Sequence, residues 1–185
     1  KLHSRLALKF MINRDFTQSN RWTKACILYQ IGLSKQNDFK LDLIAQMFNP
    51  DNLVREVAAW ALHQINEKDY TKNVVRLPEE QRKQLNEIVI EKRRLSNLEE
   101  VLFFQKIDLL EGISGITLSY LADISEEIQL KEGQNLILDE KVNNDFYVLI
   151  NGSVDFYEKG IFVSQFSRGQ FIGELLAKPN YLNTN

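Results

Sequence analysis

Glycine is distributed unevenly along this chain, and this distribution constrains the fold more than any other sequence feature. Of the eight glycines, only Gly32 lies before residue 98, and the other seven lie after residue 111. Glycine is unfavourable inside helices and common in tight turns, where the backbone adopts positive φ. The sequence therefore predicts two architectures in one chain, with a border near residue 97.

Charge and composition narrow the class of protein. Residues 1–98 carry a net charge of +6 and residues 99–185 one of −8, which together give the overall −2. A single Cys excludes an internal disulfide framework, and 44% hydrophobic residues exclude a disordered chain. No apolar run approaches the ~20 residues that a transmembrane helix needs, and no signal peptide opens the sequence.

The first part has the periodicity of short antiparallel helices. Residues 51–66 place apolar side chains at positions 54, 57, 58, 61, 62 and 65, which lie on one face of a helix. Asp51 follows Asn49-Pro50 and is predicted to be the N-cap of this helix. Residues 38–48 supply a second apolar face, so we expect a pair of helices with a tight connection.

A shift of 34 residues relates this pair to an earlier one. It places Arg21 on Arg55, Ala25 on Ala59 and Leu28 on Leu62. Stacked helical pairs repeat with such periods, and residues 49–62 resemble a HEAT repeat. The resemblance covers about residues 4–67, so residues 1–77 are predicted to be a HEAT-like helical domain; an ordinary helical hairpin core is the alternative. Because residues 1–11 already have a helical pattern, we expect further helices before them.

Residues 78–97 are predicted to be a connecting segment, with a helix over 79–94 and Pro78 at its first position. Its acidic residues come first and Lys92-Arg93-Arg94 come last, an order that suits the helix dipole. The basic run is expected to be a solvated helix end, and contact with phosphate or an anionic membrane is the alternative.

Within residues 98–185, the spacing of the apolar residues changes from one typical of helices to one typical of strands. Helices are predicted over 98–110 and about 117–123, followed from residue 125 by short apolar segments between glycine-containing turns. Asn151-Gly152 and Lys159-Gly160 are typical of hairpin turns. This pattern indicates an antiparallel jelly roll, which makes the whole chain a multi-domain α+β protein.

Several motifs in this part resemble the cyclic nucleotide-binding domain family. They are residues 103–114 with Leu110-Glu111-Gly112, the Tyr147-x-x-x-x-Gly152 spacing with Asn151-Gly152-Ser153-Val154, and residues 169–176, Gly-Gln-Phe-Ile-Gly-Glu-Leu-Leu. The resemblance runs from about residue 98 to 185 and implies a β-roll that binds cAMP or cGMP.

In that family Gly173, Glu174 and Leu175 would open the cassette that holds the cyclic phosphate. Backbone N–H groups at a helix start would bind the phosphate, and Glu174 would accept a hydrogen bond from the ribose hydroxyl. The remaining candidate ligand residues are Leu176, Lys178, Asn183 and Thr184. The family's phosphate-binding Arg would fall near Asn183, where this sequence has none, so a roll that no longer binds nucleotide is the alternative.

The resemblance also implies a context. A complete domain of this family continues past the cassette, so we expect the chain to be C-terminally incomplete. The order of modules is similar to the cytosolic tail of bacterial ADP/ATP-carrier-type nucleotide transporters, which implies a cytoplasmic module, at the membrane face if it is tethered to such a transporter.

No catalytic or metal-binding constellation is recognised. His63 has no second His or Cys at ligand spacing, Cys26 is expected to be a small core residue, and no nucleophile elbow or phosphate-binding loop is present. We therefore expect a non-enzymatic regulatory module with no cofactor, which binds a nucleotide, or serves as a scaffold whose helical repeats bind a protein. Nucleic-acid binding is not expected, because the cations of the first part are scattered.

Overall fold

The structure is a computed structural model and describes residues 2–13, 21–136 and 146–172. The chain divides into two compact units. The helical unit comprises Lys1–Gln105 and Leu110–Glu127, and the strand unit comprises Lys106–Leu109 and Ile128–Asn185. Helices that the sequence resemblance assigns to the nucleotide-binding part thus belong to the helical unit.

The described helical unit contains eight α-helices. They are α1 (Leu2–Asn13), α2 (Arg21–Leu33), α3 (Lys40–Gln46), α4 (Asn52–Ile65), α5 (Glu67–Val74), α6 (Glu79–Leu85), α7 (Asn97–Phe104) and α8 (Gly115–Ile124). A 3₁₀ turn, Asn37–Phe39, precedes α3, and a π-helical turn, Asn86–Ile90, continues α6. A second 3₁₀ turn, Asp108–Leu110, follows α7.

Helix α4 is the centre of this unit. Asp51 caps it as predicted, because its carboxylate accepts the Val54 N–H at 3.0 Å. The helix is buried on several sides, since α2, α3, α5 and α7 all contact it. Gly32 allows the close packing of α2, because a Cβ there would lie 2.9 Å from the Ala61 Cα. The core is formed by apolar residues of α1 to α7 and of the turns between them, among them Ile12, Leu28, Phe39, Leu43, Met47, Leu53, Leu62, Tyr70 and Leu85.

Residues 79–94 do not form the single continuous α-helix that the sequence predicts. Pro78 lies before the first helical residue rather than in it, and α6 ends at Leu85. The π-helical turn follows, and Lys92 then adopts a positive φ of 51°, which ends the helical path. Helix α7 starts afresh with a capping box between Ser96 and Glu99.

The described strands are β1 (Tyr147–Val148), β2 (Ser153–Glu158), β3 (Ile161–Ser167) and β4 (Phe171–Ile172). Strand β2 pairs antiparallel with β3, and Lys159-Gly160 joins them with φ values of 50° and 81°. Two positive φ values define the type I′ turn that suits hairpin twist. Gly152 also has a positive φ, of 83°, but it does not close a hairpin, because β1 pairs with β4 instead.

The mixed helix and strand class is confirmed, but the described residues do not form the predicted jelly roll. Their four strands make two separate two-stranded sheets. The reason lies upstream, where residues 126–136, which were expected to supply strands, have no regular structure. Without those strands, the described segments cannot build two facing sheets.

The predicted HEAT repeats are not formed by the described helices either. The 34-residue relation does bring α2 and α4 together, and Arg21 and Arg55 are both buried. The outer helices differ, however, since α1 has 12 residues and α3 has seven. Helix α4 also contacts α7, which lies beyond α5 and α6 in the sequence, whereas a repeat contacts only its neighbours along an array.

Candidate functional site

The ligand residues implied by the sequence resemblance lie outside the described residues. They are Gly173, Glu174, Leu175, Leu176, Lys178, Asn183 and Thr184. The description stops at Ile172, the last residue of β4 and the one directly before Gly173. The nucleotide site therefore stays a prediction.

The backbone leading to this predicted site is well connected. Strand β4 pairs with β1, with Tyr147 opposite Ile172. The Gly169 N–H donates to the Leu149 carbonyl at 2.7 Å, and the Leu149 N–H donates to the Gln170 carbonyl at 3.1 Å. Residues 147–149 are thus hydrogen-bonded to the segment that ends with β4 at Ile172.

The most organised polar group among the described residues lies in the helical unit, around Arg21. Its side chain is 6% exposed, and its Nε lies 2.8 Å from Asp51 Oδ2. Its terminal nitrogens bind Asp123 of α8, one of them at 3.1 Å from Oδ1. The guanidinium also lies over the Tyr120 ring, 5.3 Å from its centroid. One cation therefore joins α2, the start of α4 and α8.

Asp123 extends this group to the start of α7. The Asn97 side-chain amide donates to Asp123 Oδ1 at 2.7 Å. The pKa of Arg21 is raised, because burial is outweighed by the hydrogen bonds and charges of Asp123 and Asp51. The cation is thus held in its charged form.

A second polar group surrounds Glu56 of α4, which is 1% exposed. Its Oε2 accepts the Asn97 backbone N–H at 2.8 Å, and its Oε1 accepts the Gln84 side-chain N–H at 2.9 Å. Burial raises the pKa of Glu56 to about 7, although the Asn97 N–H and the charge of Arg55 oppose the rise. Glu56 therefore links α4, α6 and α7.

Glu100 lies one turn further along α7 and is 7% exposed. Its Oε2 is buried and has no hydrogen-bond partner among the described residues. Burial raises its pKa to about 8, and the neighbouring charges of Glu56 and Glu127 add to the rise. Two buried carboxylates thus lie where α4 meets α7.

The cavities of the helical unit are small or open. One of about 50 Å³ lies beside the stacked rings of Tyr29 and Trp60, whose centroids are 4.8 Å apart, and Ser96 and Leu98 complete its wall. A surface groove of about 270 Å³ along α6 has side chains of both charges, including Arg82, Lys83 and Glu87. Neither has the enclosed, mainly apolar volume of a typical small-molecule site.

The other sequence candidates are dispersed. His63 packs edge-on against Tyr70, with ring centroids 5.3 Å apart, and Cys26 is exposed rather than in the core as expected. In the basic run, Arg93 pairs with Glu91, and Arg94 lies 4.0 Å from Glu87. Among the described residues, no cluster of three or more His, Cys, Asp or Glu could bind a metal ion. No described helix combines the length and apolar character that a membrane span requires.

The buried residues Arg21, Glu56 and Glu100 and the more exposed Asp123 were not recognised as a group in the sequence. Glu56 lies off the apolar stripe of α4, and Glu100 lies among the apolar residues of α7, so no periodicity marks either one. The repeat alignment of Arg21 with Arg55 was the one available signal. Comparison of the chain with family models, with curated proteins and with solved structures found no match in any of the three.

Proposed function

We propose that the chain is a non-catalytic regulatory module, in which the strand unit binds a cyclic nucleotide and the helical unit passes the change to a protein partner. One observation carries the proposal. Helices α7 and α8, whose sequence resembles the entry to a cyclic nucleotide-binding domain, belong to the compact helical unit. A change in the strand unit would therefore pass along the chain to helices that are already packed in the helical unit.

The attachment is charged and largely buried, which supports a role in transmission. Arg21 binds Asp123 of α8, and Glu56 binds the first N–H of α7. Buried charge pairs have strict geometry, because a displaced partner leaves an uncompensated charge. We expect helices held in this way to move together with the rest of the helical unit.

The proposed ligand is an anionic cyclic nucleotide, and its recognition follows from the resemblance. Backbone N–H groups after Gly173 would bind the phosphate, Glu174 the ribose, and Lys178 would supply a point charge. Asn183 and Thr184 lie near the position where the resemblance would place the family's phosphate-binding Arg.

Calorimetry tests the proposal. Titration of the chain with cAMP, cGMP and ATP is expected to give a heat of binding for a cyclic nucleotide at ligand concentrations up to about 1 mM, a range that weak sites occupy. Glu174→Ala should abolish the heat, whereas Glu158→Ala, an exposed carboxylate of β2, should not. Absence of heat with all three ligands would overturn nucleotide binding.

A scaffold without nucleotide binding is the second candidate, and one surface favours it. Leu6 of α1 is 59% exposed and Leu41 of α3 is 76% exposed. The two helices contact each other, with the Asn13 side chain donating to Asp42 at 2.7 Å. Exposed apolar side chains on neighbouring helices suit a protein partner.

A binding assay distinguishes the two candidates. If the chain is a scaffold, Leu6→Ser or Leu41→Ser should reduce the capture of its protein partner. Cyclic nucleotide at about 1 mM, the concentration used in the titration, should leave the capture unchanged. Capture that changes with nucleotide and is lost with Glu174→Ala supports the regulatory module instead.

A further inference from the structure

Two buried acidic side chains, Glu56 and Glu100, lie at the contact between α4 and α7, and they differ in the hydrogen-bond donors around them. Glu56 has a donor for each oxygen, namely Asn97 N–H at 2.8 Å and Gln84 Nε2 at 2.9 Å. Glu100 is three residues beyond Asn97 and therefore one helical turn away. Its buried Oε2 has no donor among the described residues.

This difference assigns the protonation states. An ionised carboxylate needs hydrogen-bond donors or cations when it leaves water, and a buried oxygen without either strongly disfavours the charge. Glu56 meets that requirement better than Glu100 does. At neutral pH the charge therefore resides on Glu56, and Glu100 holds the proton.

The other charged groups around the pair come from α4, from α8 and from the segments next to α7 and α8. Arg55 of α4 and Arg94, which precedes α7, favour ionisation. Asp123 of α8 and Glu127, which follows it, oppose ionisation. Glu127 also accepts the Leu95 N–H at 3.0 Å, and Asp123 is itself bound by Arg21. These two cations and two anions balance in number, so Glu56 itself makes a second negative charge at Glu100 unfavourable.

We propose that Glu56 and Glu100 form a carboxylate pair that retains one proton at neutral pH, and that loss of this proton at alkaline pH weakens the docking of α7 on α4. With Glu100 neutral, Glu56 holds the N-terminus of α7 without competition. When Glu100 ionises, two like charges occupy the same buried space, and α7 carries one of them.

The direction of the pH effect follows from linkage. Burial raises the pKa of both carboxyl groups above their ordinary value of 4.5, to about 7 and about 8. The folded state therefore binds more protons than the unfolded state, and the stability from this pair is present below about pH 4.5 and is lost as pH rises through 7 to 8. The pair titrates as a unit. No nucleotide is involved, so this inference is independent of the proposed function.

The Asn97 amide offers a direct probe, because its N–H is bound to Glu56. In ¹H–¹⁵N spectra of the whole chain, its chemical shift is expected to titrate between pH 6 and 9. Glu100→Gln should remove the more alkaline step and so lower the overall midpoint toward about 7, because Glu100 is the group of the pair that ionises second. Glu111→Gln, which changes an exposed carboxylate after α7, should leave the midpoint unchanged.

Urea unfolding supplies the second measurement. The urea concentration at the unfolding midpoint of the native chain should decrease as the pH is raised from 6 to 9. Glu100→Gln should make this decrease smaller, whereas Glu111→Gln should leave it as large as in the native chain. An Asn97 amide shift that is constant from pH 6 to 9 in the native chain would overturn the proposal without any variant. An equal response of Glu111→Gln and Glu100→Gln would also overturn it.

Discussion

Arg21 and Asp123 are 102 positions apart in the sequence, yet two guanidinium nitrogens of Arg21 bind the Asp123 carboxylate, with Nη2 at 3.1 Å from Oδ1. The same guanidinium lies against Asp51 at the start of α4. Arg21 is 6% exposed, and its two carboxylate partners are 28% and 30% exposed. This contact adds to the packing of α8 against α7 within the helical unit.

Removal of the Arg21 side chain should destabilise the helical unit. Arg21→Ala leaves two partly buried carboxylates without their cation, and we expect a loss of about 2 kcal/mol in the free energy of unfolding, less than a fully buried pair would give. Arg21→Lys should lose less, because the charge remains but the two-point contact does not. Arg5→Ala is the control, since its ion pair with Asp38 is more than half exposed. Equal losses for Arg21→Ala and Arg5→Ala in urea unfolding would contradict this.

Asp51 has two separable roles, as N-cap of α4 and as partner of Arg21. Asp51→Asn keeps an acceptor for the Val54 N–H but loses the charge, whereas Asp51→Ala loses both. We expect losses of about 1 and about 2 kcal/mol, respectively. Asn66→Ala removes only a cap, the one that accepts the Asp69 N–H at 3.0 Å, and should cost about 1 kcal/mol. If Asp51→Ala costs no more than Asn66→Ala in thermal unfolding, the ion pair adds nothing.

Gly32 and Gly115 both lie against an indole ring but differ in what surrounds them. A Cβ at Gly32 would lie 2.5 Å from Trp60 and 2.9 Å from the Ala61 backbone, whereas the three atoms nearest to a Cβ at Gly115 all belong to the Trp22 ring, the first also at 2.5 Å. A side chain can move more easily than the backbone of the central helix. Gly32→Ala should therefore cost about 2 kcal/mol, and Gly115→Ala clearly less. Calorimetric melting of the two variants measures the difference, and the reverse order would refute the argument.

The β2–β3 hairpin has a correctable strain. Lys159 has a φ of 50°, a conformation that Asn adopts more readily than Lys. Lys159→Asn should stabilise the hairpin by about 0.5 kcal/mol, and Lys159→Val should destabilise it. Lys131→Asn is the control, because Lys131 has no positive φ. Amide hydrogen exchange in β2 and β3 reports the change, and faster exchange in Lys159→Asn would be the contrary result.

Features that depend on neighbours in sequence were predictable. Asp51 caps α4 because Asn49-Pro50 ends the preceding turn and an acidic acceptor follows, and Lys159-Gly160 closes a hairpin because both positions tolerate positive φ. The helix expected over residues 79–94 was only partly right. Its sequence has good helix formers throughout, and only the packed structure shows the π-helical turn at Asn86–Ile90.

The buried polar residues were not predictable in the same way. Glu56 lies off the apolar stripe of α4, so its sequence position is typical of solvent exposure. It is buried because Gln84 and Asn97, from 28 and 41 positions away, provide donors that replace water. Such donors come from other elements, and no local sequence pattern indicates them.

By itself, the sequence determined the change from a glycine-poor helical part to a glycine-containing strand part, the start of α4 and the turn between β2 and β3, because backbone preference and side-chain caps act over a few residues. Only the tertiary structure decided that α7 and α8 join the helical unit and that the described strands form two small sheets. It also decided that Glu56 and Glu100 are both buried where α4 contacts α7. Burial and charge pairing depend on which distant segments exclude water together, and that is settled by packing.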